Sequence, residues 1–406
     1  MTPPSRKARL AVVSPFIDKK HGTERRVAEW IAQLSSIYEI HIYSQNVHDV
    51  DLTRVTWHRI PTLPGPHIAN FIWWFSANSA LRLWHARLRG LRYDLVFSPG
   101  INCLDADAVS VHIVFAEYVS RVRNELFFSR NSVRAWPRLL HRRLYYRLLT
   151  SLERRVYGKR GASLILIAGR TAVGLERFYG RRAPLPIIYG GLDHIIFNPA
   201  RRLLLRESAR KHLGLSTEQF ALIVVSNDGR NKGIPTLVQA LSTLRELPIE
   251  LLVVTREDPA PYLTQIHDAG LDERVHFLPP RDDIEFYYSA ADAYVGPSLE
   301  DTFAQPPAEA MACGMPVIVS ANNGTCEIIT DGQDGLILAN PADAATLAAM
   351  IRRLYEDNEF SARLGKRANE TAQQYTWERN GRELNAIFEL LLEQKSKRAR
   401  DDGAEL

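Results

Sequence analysis

Three carboxylates lie close together in the second half of the chain. Glu300 and Asp301 follow a short apolar run, and Glu309 comes eight residues after Asp301. This pattern predicts that Glu300 and Asp301 lie in a loop after a strand, and that Glu309 lies in the next helix, which ends at Gly314. The apolar run at residues 316–320 has the length of a strand buried in a parallel sheet. Ligands bind at the carboxyl ends of such strands, where a carboxylate accepts hydrogen bonds from polyol hydroxyls.

Two cations precede another predicted helix. Arg230 and Lys232 follow the apolar run at residues 220–225 and stand just before a helix that we predict to begin near residues 233–235. The backbone N–H groups and the dipole of a helix start favour an anion, and two cations beside it add to that preference. We interpret this loop as a diphosphate site. The alternative is a pair of exposed loop cations.

Two polar segments in the first half of the chain occupy similar positions after predicted strands. Gly22 and Thr23 open a helix after the predicted strand at residues 10–16, and a glycine there lets the backbone approach a ligand. His112 lies towards the end of a predicted strand at residues 109–114, where an imidazole can bond to a substrate hydroxyl. The alternatives are a plain turn at Gly22 and a structural role for His112.

Length and composition are those of a globular protein with two domains. The chain has 406 residues, of which 46% are apolar and 24% charged. The three cysteines (Cys103, Cys313 and Cys326) are widely spaced, so they predict neither a disulfide framework nor a metal site but a reduced, cytoplasmic setting. The first residues lack the apolar core of a signal peptide, and no apolar run is long enough for a transmembrane helix.

Charge is distributed unevenly along the chain. Residues 1–200 contain 29 Lys and Arg against 14 Asp and Glu, a net charge of +15, whereas residues 201–406 contain 22 against 32, a net charge of −10. A basic first half predicts an anionic partner, such as a lipid headgroup or a phosphorylated lipid-linked sugar. Nucleic acid fits the charge as well but is not the expected partner. The alternative is a solvated surface without a partner.

Aromatic and basic residues are dense in two predicted helices of the first half. Residues 67–90 contain Trp73, Trp74 and Trp84 with several arginines, which is typical either of a membrane-interface helix or of a core-packed helix with a basic outer face. Residues 121–160 are basic and helical. Their predicted core face consists of Leu140, Leu144, Tyr145, Leu148, Leu149, Leu152 and Val156.

The stretch from residue 296 to 327 resembles the signature of family 4 glycosyltransferases. That signature is E-x7-E followed by AMACG-x-PVI, and here Asp301 and Glu309 stand at its two acidic positions before AMACGMPVI. Asp301 departs from the usual glutamate, and Glu300 lies one residue out of register. A second likeness is the interdomain segment that begins at Gly190, where the family usually has asparagine.

The resemblance implies a fold. It implies an α/β protein of the GT-B class, in which two Rossmann-like domains face each other across a cleft and a C-terminal helix crosses back to the first domain. We therefore predict an acceptor-binding domain at residues 1–195 and a nucleotide-sugar-binding domain at residues 196–375. The returning helix is predicted at residues 376–392, and a disordered tail at residues 393–406.

The resemblance also implies a role for each candidate residue. Glu309 is expected to hold ribose hydroxyls, while Asp301 and the backbone N–H groups of Phe303 and Ala304 hold the transferred sugar. Arg230 and Lys232 are expected to bind the diphosphate, and His112 is expected to lie near the transferred sugar. The predicted catalytic residues are thus His112, Asp301, Glu309, Lys232 and Arg230. The predicted donor-binding residues are Gly22, Thr23, Arg230, Lys232, Pro280, Glu300, Asp301, Thr302, Phe303, Ala304 and Glu309.

The implied reaction is retaining glycosyl transfer from a nucleotide-diphosphate sugar to an acceptor hydroxyl. The expected setting is the synthesis of a cell-envelope glycan, polysaccharide or glycolipid, with an anionic or lipid-linked glycan acceptor. We expect no cofactor and no metal, because Arg230, Lys232 and the helix start would stabilise the leaving diphosphate. The expected location is the cytoplasm, with peripheral contact at the inner face of an anionic membrane. The alternatives are a sugar-nucleotide epimerase or phosphorylase on the same fold, or a non-catalytic basic protein that binds membrane or nucleic acid.

Overall fold

The computed structural model describes residues 6–19, 22–122, 136–158, 162–182 and 184–404. The chain divides into two compact units. Unit 1 comprises Met1–Tyr189 together with Trp377–Leu406, and unit 2 comprises Gly190–Thr376. These boundaries differ by a few residues from the predicted ones at 195 and 375.

Unit 1 contains a six-stranded parallel sheet. The strands formed by its described residues are β1 (Arg9–Val13), β2 (Phe16–Ile17), β3 (Glu39–Ser44), β4 (Asn46–Val47), β5 (Val55–Arg59), β6 (Leu95–Pro99), β7 (Ala108–Val111) and β8 (Ser163–Leu166). Their order in the sheet is β5-β3-β1-β6-β7-β8, and β2 pairs separately with β4. This is the strand order of a doubly wound, Rossmann-like unit.

Helices cover the sheet of unit 1. They are α1 (Gly22–Leu34), α2 (His67–Leu88), α3 (Phe115–Arg121), α4 (Trp136–Tyr157), α5 (Thr171–Tyr179) and the C-terminal helix α13 (Trp377–Ala404). In the core, the ring of Phe97 on β6 packs edge to face against two other rings. Its centroid lies 5.5 Å from that of Trp30 on α1 and 5.4 Å from that of Phe388 on α13. The C-terminal helix therefore completes the core of unit 1.

Unit 2 repeats the same plan. Its strands are β9 (Phe220–Val225), β10 (Ile249–Val254), β11 (Val275–Leu278), β12 (Ala293–Gly296), β13 (Val317–Ser320) and β14 (Leu336–Leu338). Its helices are α6 (Pro199–His212), α7 (Ile234–Ser242), α8 (Ala260–Asp268), α9 (Glu285–Ala290), α10 (Gln305–Ala312), α11 (Ala344–Glu356) and α12 (Asn358–Ala372), with a 3-10 helix at Gly324–Ile328. The strand order, β11-β10-β9-β12-β13-β14, is again Rossmann-like.

The position where the strand order reverses brings two loops together in unit 2. β9 and β12 are neighbours although they are not consecutive, so the loops that follow them leave the same edge of the sheet side by side. The first loop contains Arg230 and Lys232, and the second contains Glu300 and Asp301. Gly314 ends α10 with a φ of 72°, as its position in the sequence predicts.

The structure confirms two α/β Rossmann-like units and corrects several details. The strand predicted at 109–114 ends at Val111, so His112 lies in the loop after β7. Residues 186–189, for which we also predict a strand, form only one isolated bridge, between Ile187 and Leu166. No residue of β5 is buried and β14 has only three residues, so neither strand has the long apolar run by which a buried strand is recognised.

The prediction of a disordered tail is wrong over residues 393–404. The helix α13 continues to Ala404, well beyond the predicted end at residue 392. Lys395 anchors this extension because its Nζ donates to Asp107 Oδ1 at 2.9 Å and to the carbonyl oxygen of Asp94 at 2.8 Å. A charged sequence is thus compatible with order when its charges meet partners on a folded surface.

The packing of α4 differs from the predicted core face. Leu149, Leu152 and Val156 are buried as expected, but Leu140 and Leu144 are about half exposed. In the first half of this helix, Tyr145 contacts His67 and Phe71 on α2. Within the predicted helical region at 121–160, residues 123–135 and 159–160 lie outside the described part of the chain.

The buried ring of Phe388 provides a test of the role of α13. Replacing Phe388 by alanine removes a fully buried ring between Tyr38 and Phe97, and we expect this to lower the free energy of unfolding of unit 1 by about 3–5 kcal/mol. All seven tryptophans lie in unit 1, so urea unfolding followed by tryptophan fluorescence reports on that unit. Leu390→Ala, at an exposed position on the same helix, should change it by less than about 0.5 kcal/mol. Equal effects of the two variants would contradict this packing.

Candidate functional site

The loop after β9 is shaped by a glycine that has no room for a side chain. Gly233 has a φ of +82°, and a Cβ added there would lie 2.3 Å from the carbonyl oxygen of Pro297. Its neighbour Lys232 is held at the backbone, where its N–H donates to the carbonyl of Asp228 at 2.8 Å. The helix α7 begins at Ile234, directly after Gly233. Lys232 therefore stands at a helix start in close contact with the loop after β12.

Lys232 and Asp301 form an ion pair between these two loops. Lys232 Nζ donates to Asp301 Oδ2, and the two side chains are 12% and 19% exposed. The loops are also joined through Asn231, which accepts a hydrogen bond from Leu299 N at 2.7 Å and donates from Nδ2 to the carbonyl oxygen of Glu300 at 2.8 Å. The structure thus brings two predicted site residues together and adds Asn231, which the sequence did not single out. Arg230 lies exposed on the same loop.

The backbone of the acidic loop is held from the other side by the segment after β13. Asp301 N donates to the carbonyl of Asn322, and Gly324 N donates to the carbonyl of Asp301, both at 3.0 Å. Thr325 Oγ1 donates to the carbonyl of Ala304 at 2.7 Å. Because main-chain bonds fix it on both sides, the loop presents the side chain of Asp301 in one place.

Asn323 changes the interpretation of one predicted donor. The backbone N–H of Ala304, which the resemblance assigns to the transferred sugar, is directed at Asn323 Oδ1 at 3.4 Å. Asn323 is fully buried, and the same oxygen accepts a stronger bond from Thr325 N at 3.0 Å. The backbone N–H of Ala304 therefore points into the protein, towards Asn323. Phe303, also buried, and Thr302 precede it in the same loop.

Glu309 is buried inside α10 rather than in the loop of Asp301. Its carboxylate is 5% exposed and accepts a hydrogen bond at 3.0 Å from the hydroxyl of Tyr288, on α9. Burial raises the pKa of Tyr288 well above its ordinary value, and the neighbouring Glu309 charge adds to the shift. The tyrosine is therefore a stable donor that orients Glu309. Pro280, which the resemblance assigns to contact with the nucleotide base, follows β11, which lies two strands from β9 at the edge of the sheet.

In unit 1 the structure brings Thr23 and His112 together. Thr23 Oγ1 lies 3.2 Å from His112 Nδ1, and Gly22 begins the helix that carries Thr23. The other ring nitrogen, Nε2, lies 2.9 Å from the hydroxyl of Ser110. Both nitrogens of His112 thus have hydroxyl partners, so a substrate hydroxyl must share or replace one of them.

The charge state of His112 follows from its surroundings. Removal of the imidazole from solvent lowers its pKa from 6.5 to about 3, and the positive charge of Arg26 adds to this shift. Arg26 is itself buried and donates to the carbonyl of Ile188 at 3.0 Å. His112 is therefore neutral at pH 7, and its imidazole can orient a hydroxyl but carries no charge towards a phosphate.

A buried glutamate that the sequence did not indicate holds the segment after His112. Glu153 on α4 accepts hydrogen bonds from Phe115 N at 2.7 Å and from Ala116 N at 3.0 Å, at the start of α3. The hydroxyl of Tyr179 donates to the same carboxylate. Burial raises the pKa of Glu153, and these donors oppose the shift. Its partners are 26 to 38 residues away, so no local pattern could have revealed it.

Comparison with known proteins finds similarity over the segment that contains Lys232, Asp301 and Glu309. Residues 206–371 match the family described as glycosyl transferases group 1. The chain is 28% identical over 230 residues to the D-inositol 3-phosphate glycosyltransferase of Salinispora arenicola, with 53% of this chain and 51% of that relative covered. The chain spans about half the length of the curated relatives it matches.

Solved structures share the fold over nearly the whole chain. WaaG, a glycosyltransferase involved in lipopolysaccharide biosynthesis, is similar with a TM-score of 0.75 and 18% identity, over 93% of this chain and 99% of that one. Anabaena HepE in complex with UDP-glucose is similar with a TM-score of 0.69 and 19% identity, over 94% of this chain and 99% of that one. The fold is therefore the GT-B fold of glycosyltransferases.

The lowered pKa of His112 predicts how unit 1 responds to acid. The unfolded chain binds a proton at this histidine near pH 6.5, whereas the folded unit binds it only near pH 3, so the stability of unit 1 should fall as the pH drops from 6.5 towards 3. In His112→Gln the free energy of unfolding should fall less steeply with decreasing pH. The slope should differ by up to about 1.4 kcal/mol per pH unit, which corresponds to one proton. Urea unfolding followed by tryptophan fluorescence between pH 7 and pH 5 measures it. Thr23→Val, which removes a partner of the ring but no titrating group, should lower stability without changing the slope. An unchanged slope in His112→Gln would refute the assignment.

Proposed function

We propose that this chain is a retaining glycosyltransferase that moves a sugar from a nucleotide-diphosphate sugar to an acceptor hydroxyl. The observation that carries the proposal is the meeting of Lys232 and Asp301 at the reversal of strand order in unit 2. A cation for a diphosphate and a carboxylate for sugar hydroxyls lie side by side there. The matched family over residues 206–371 supports the same chemistry.

The diphosphate would bind at the start of α7. Lys232 supplies a positive charge, Arg230 is exposed on the same loop, and the N-terminal end of α7 favours an anion. As the bond to the sugar breaks, negative charge grows on the leaving diphosphate, and fixed positive charges stabilise that transition state more than the ground state. This would let the chain act without a cofactor or metal.

The two carboxylates would bind different parts of the donor. Glu309, oriented by Tyr288, would accept hydrogen bonds from the ribose hydroxyls, and Asp301 would accept them from the transferred sugar. The backbone N–H of Phe303 would assist Asp301, with Glu300 and Thr302 beside it. Pro280 would contact the base.

Acceptor binding would be the task of unit 1. His112 and Thr23 are linked there and would share a hydroxyl of the transferred sugar or of the acceptor, with Gly22 allowing close approach. In a same-face displacement the leaving phosphate takes the proton of the acceptor hydroxyl, and the anomeric configuration is kept. The basic first half of the chain suits an anionic acceptor, and the Salinispora relative is named for a phosphorylated polyol. A phosphorylated or lipid-linked glycan precursor of the cell envelope fits this chemistry.

Ligand-dependent thermal stability tests the proposal. A binder raises the unfolding midpoint according to its affinity, so a screen of nucleoside diphosphates and their sugar esters identifies the donor. We expect Lys232→Ala to reduce the shift for both kinds of ligand, because the cation that would face the diphosphate is lost. We expect Glu309→Ala to lose the shift for both as well, because it removes the ribose contact. Turnover of the donor should fall at least about tenfold in each variant.

Several outcomes would decide against the transferase. Full donor turnover by both variants would contradict the assignment of Lys232 and Glu309. Conversion of the sugar nucleotide without any acceptor, to an epimer or to a sugar phosphate, would favour an epimerase or phosphorylase. The anomeric form of the first product, read by proton NMR, separates retention from inversion.

A surface at the end of α2 supports peripheral contact with an anionic membrane. Leu83, Trp84 and Leu88 are exposed there, and the guanidinium of Arg89 lies 4.6 Å from the Trp84 ring, with Arg87 also exposed. Apolar side chains interleaved with arginines are typical of interfacial binding. Trp74, by contrast, is buried in the core, as expected for the alternative of a core-packed helix. Within the described part of the chain, none of the helices is long and apolar enough to cross a membrane.

Vesicle co-sedimentation tests this surface. The chain should bind vesicles of phosphatidylglycerol and phosphatidylcholine more strongly than vesicles of phosphatidylcholine alone, and the binding should weaken with salt. The double variant Trp84→Ser, Leu88→Ser should lose most of it. The matched control Leu203→Ser, Leu204→Ser removes two exposed leucines from unit 2 and should retain it. Equal losses in both double variants would count against a specific surface on α2.

A further inference from the structure

The contact between Lys232 and Asp301 joins the two groups to which different parts of the donor would bind. Lys232 Nζ donates directly to the Asp301 carboxylate, and both side chains are largely shielded from water. In such surroundings the attraction between opposite charges is stronger than on an open surface. Any ligand that takes up Lys232 must therefore offset the loss or weakening of this ion pair.

The backbone around the ion pair is held by bonds that do not involve it. Asn231 links its own loop to Leu299 and to the carbonyl of Glu300, at 2.7 and 2.8 Å. Asp301 is bonded at its backbone to Asn322 and Gly324. The ion pair can thus open by rotation of two side chains while both loops keep their places.

The two ends of a sugar nucleotide affect this ion pair in opposite ways. A phosphate oxygen that approaches Lys232 competes with Asp301 for the cation and brings negative charge towards the carboxylate. A sugar hydroxyl on the same ligand donates to Asp301 and replaces the partner that the carboxylate gives up. A nucleoside diphosphate without a sugar also competes with Asp301 for Lys232, but it has no sugar hydroxyl to bond to the carboxylate of Asp301.

We propose that the ion pair between Lys232 and Asp301 makes this site prefer a nucleotide-diphosphate sugar over the nucleoside diphosphate left after transfer. The inference rests on the proposed function and deepens it, because it assigns a discriminating role to Asp301. The pair couples occupation of the diphosphate position to occupation of the sugar position. Such coupling between two positions typically amounts to roughly five- to 150-fold in affinity. Its consequence is that the spent diphosphate binds weakly and leaves the site.

The test compares the affinities of Asp301→Asn and the unchanged chain by isothermal titration calorimetry. The probes are UDP and UDP-glucose, or the guanosine or adenosine pair if that pair stabilises the unchanged chain more. Asparagine keeps the size of the side chain but removes the charge that competes for Lys232. We expect UDP to bind Asp301→Asn at least about fivefold more tightly, and the ratio of the two dissociation constants to approach one.

Two further variants distinguish an effect of the ion pair between Lys232 and Asp301 from a general effect of negative charge near the site. Glu257→Gln removes a negative charge that accepts a hydrogen bond from Gly229 N on the loop of Lys232, and glutamine can keep that bond, so it should strengthen UDP and UDP-glucose binding equally and by less. Lys232→Met removes the cation, and adding Asp301→Asn in that background should no longer tighten UDP binding, which a double-mutant cycle measures. Circular dichroism and the unfolding midpoint confirm that each variant is folded.

The outcomes are distinct. Weaker UDP binding in Asp301→Asn, or equal changes for UDP and UDP-glucose, would overturn the inference and leave the transferase proposal standing. Tightening that persists in the Lys232→Met background would also overturn it, because the effect would then not pass through the ion pair. If the unchanged chain binds none of the probe pairs, the proposed function itself fails.

Discussion

The candidate site depends on the adjacency of β9 and β12 in the sheet of unit 2. Because these parallel strands are neighbours, the loops that follow them leave the same edge and are cross-linked by Asn231. Gly233 permits the close approach, since any side chain there would collide with the backbone of Pro297. Only in this arrangement do a lysine and an aspartate 69 residues apart form an ion pair at the start of a helix. The proposed donor chemistry follows from that contact.

Unit 1 has the same Rossmann-like strand order, but it brings neutral side chains together instead of an ion pair. Thr23, at the start of α1, meets His112, in the loop after β7, and the hydroxyl of Ser110 contacts the other ring nitrogen. Burial and the positive charge of Arg26 lower the pKa of the imidazole and keep it neutral. A neutral, oriented ring beside a hydroxyl suits recognition of sugar or acceptor hydroxyls rather than of phosphate. The two units thus offer different chemistry: unit 2 has an ion pair at a helix start, and unit 1 has neutral hydrogen-bonding groups.

Much of this could be predicted from the sequence, for physical reasons. Buried parallel strands are continuous apolar runs, so β9 and β13 lie at the apolar runs of residues 220–225 and 316–320, and Gly314 marks the end of α10. Partners across the sheet could not be predicted, because the spacing of residues reveals local periodicity and not which distant side chain a group meets. The links of Lys232 to Asp301 and of Glu153 to the start of α3 are of this kind. The tail was misjudged because composition does not reveal the contact of Lys395 with Asp107.

The most direct test of the account is a crystal structure of the chain with the sugar nucleotide that stabilises it most. The account predicts that Lys232 Nζ lies within hydrogen-bond distance of a diphosphate oxygen, at the start of α7. It also predicts that the Asp301 carboxylate accepts a hydrogen bond from a hydroxyl of the sugar, while Asn231 keeps its bonds to the neighbouring loop. A diphosphate bound elsewhere, with Lys232 still paired to Asp301, would contradict it.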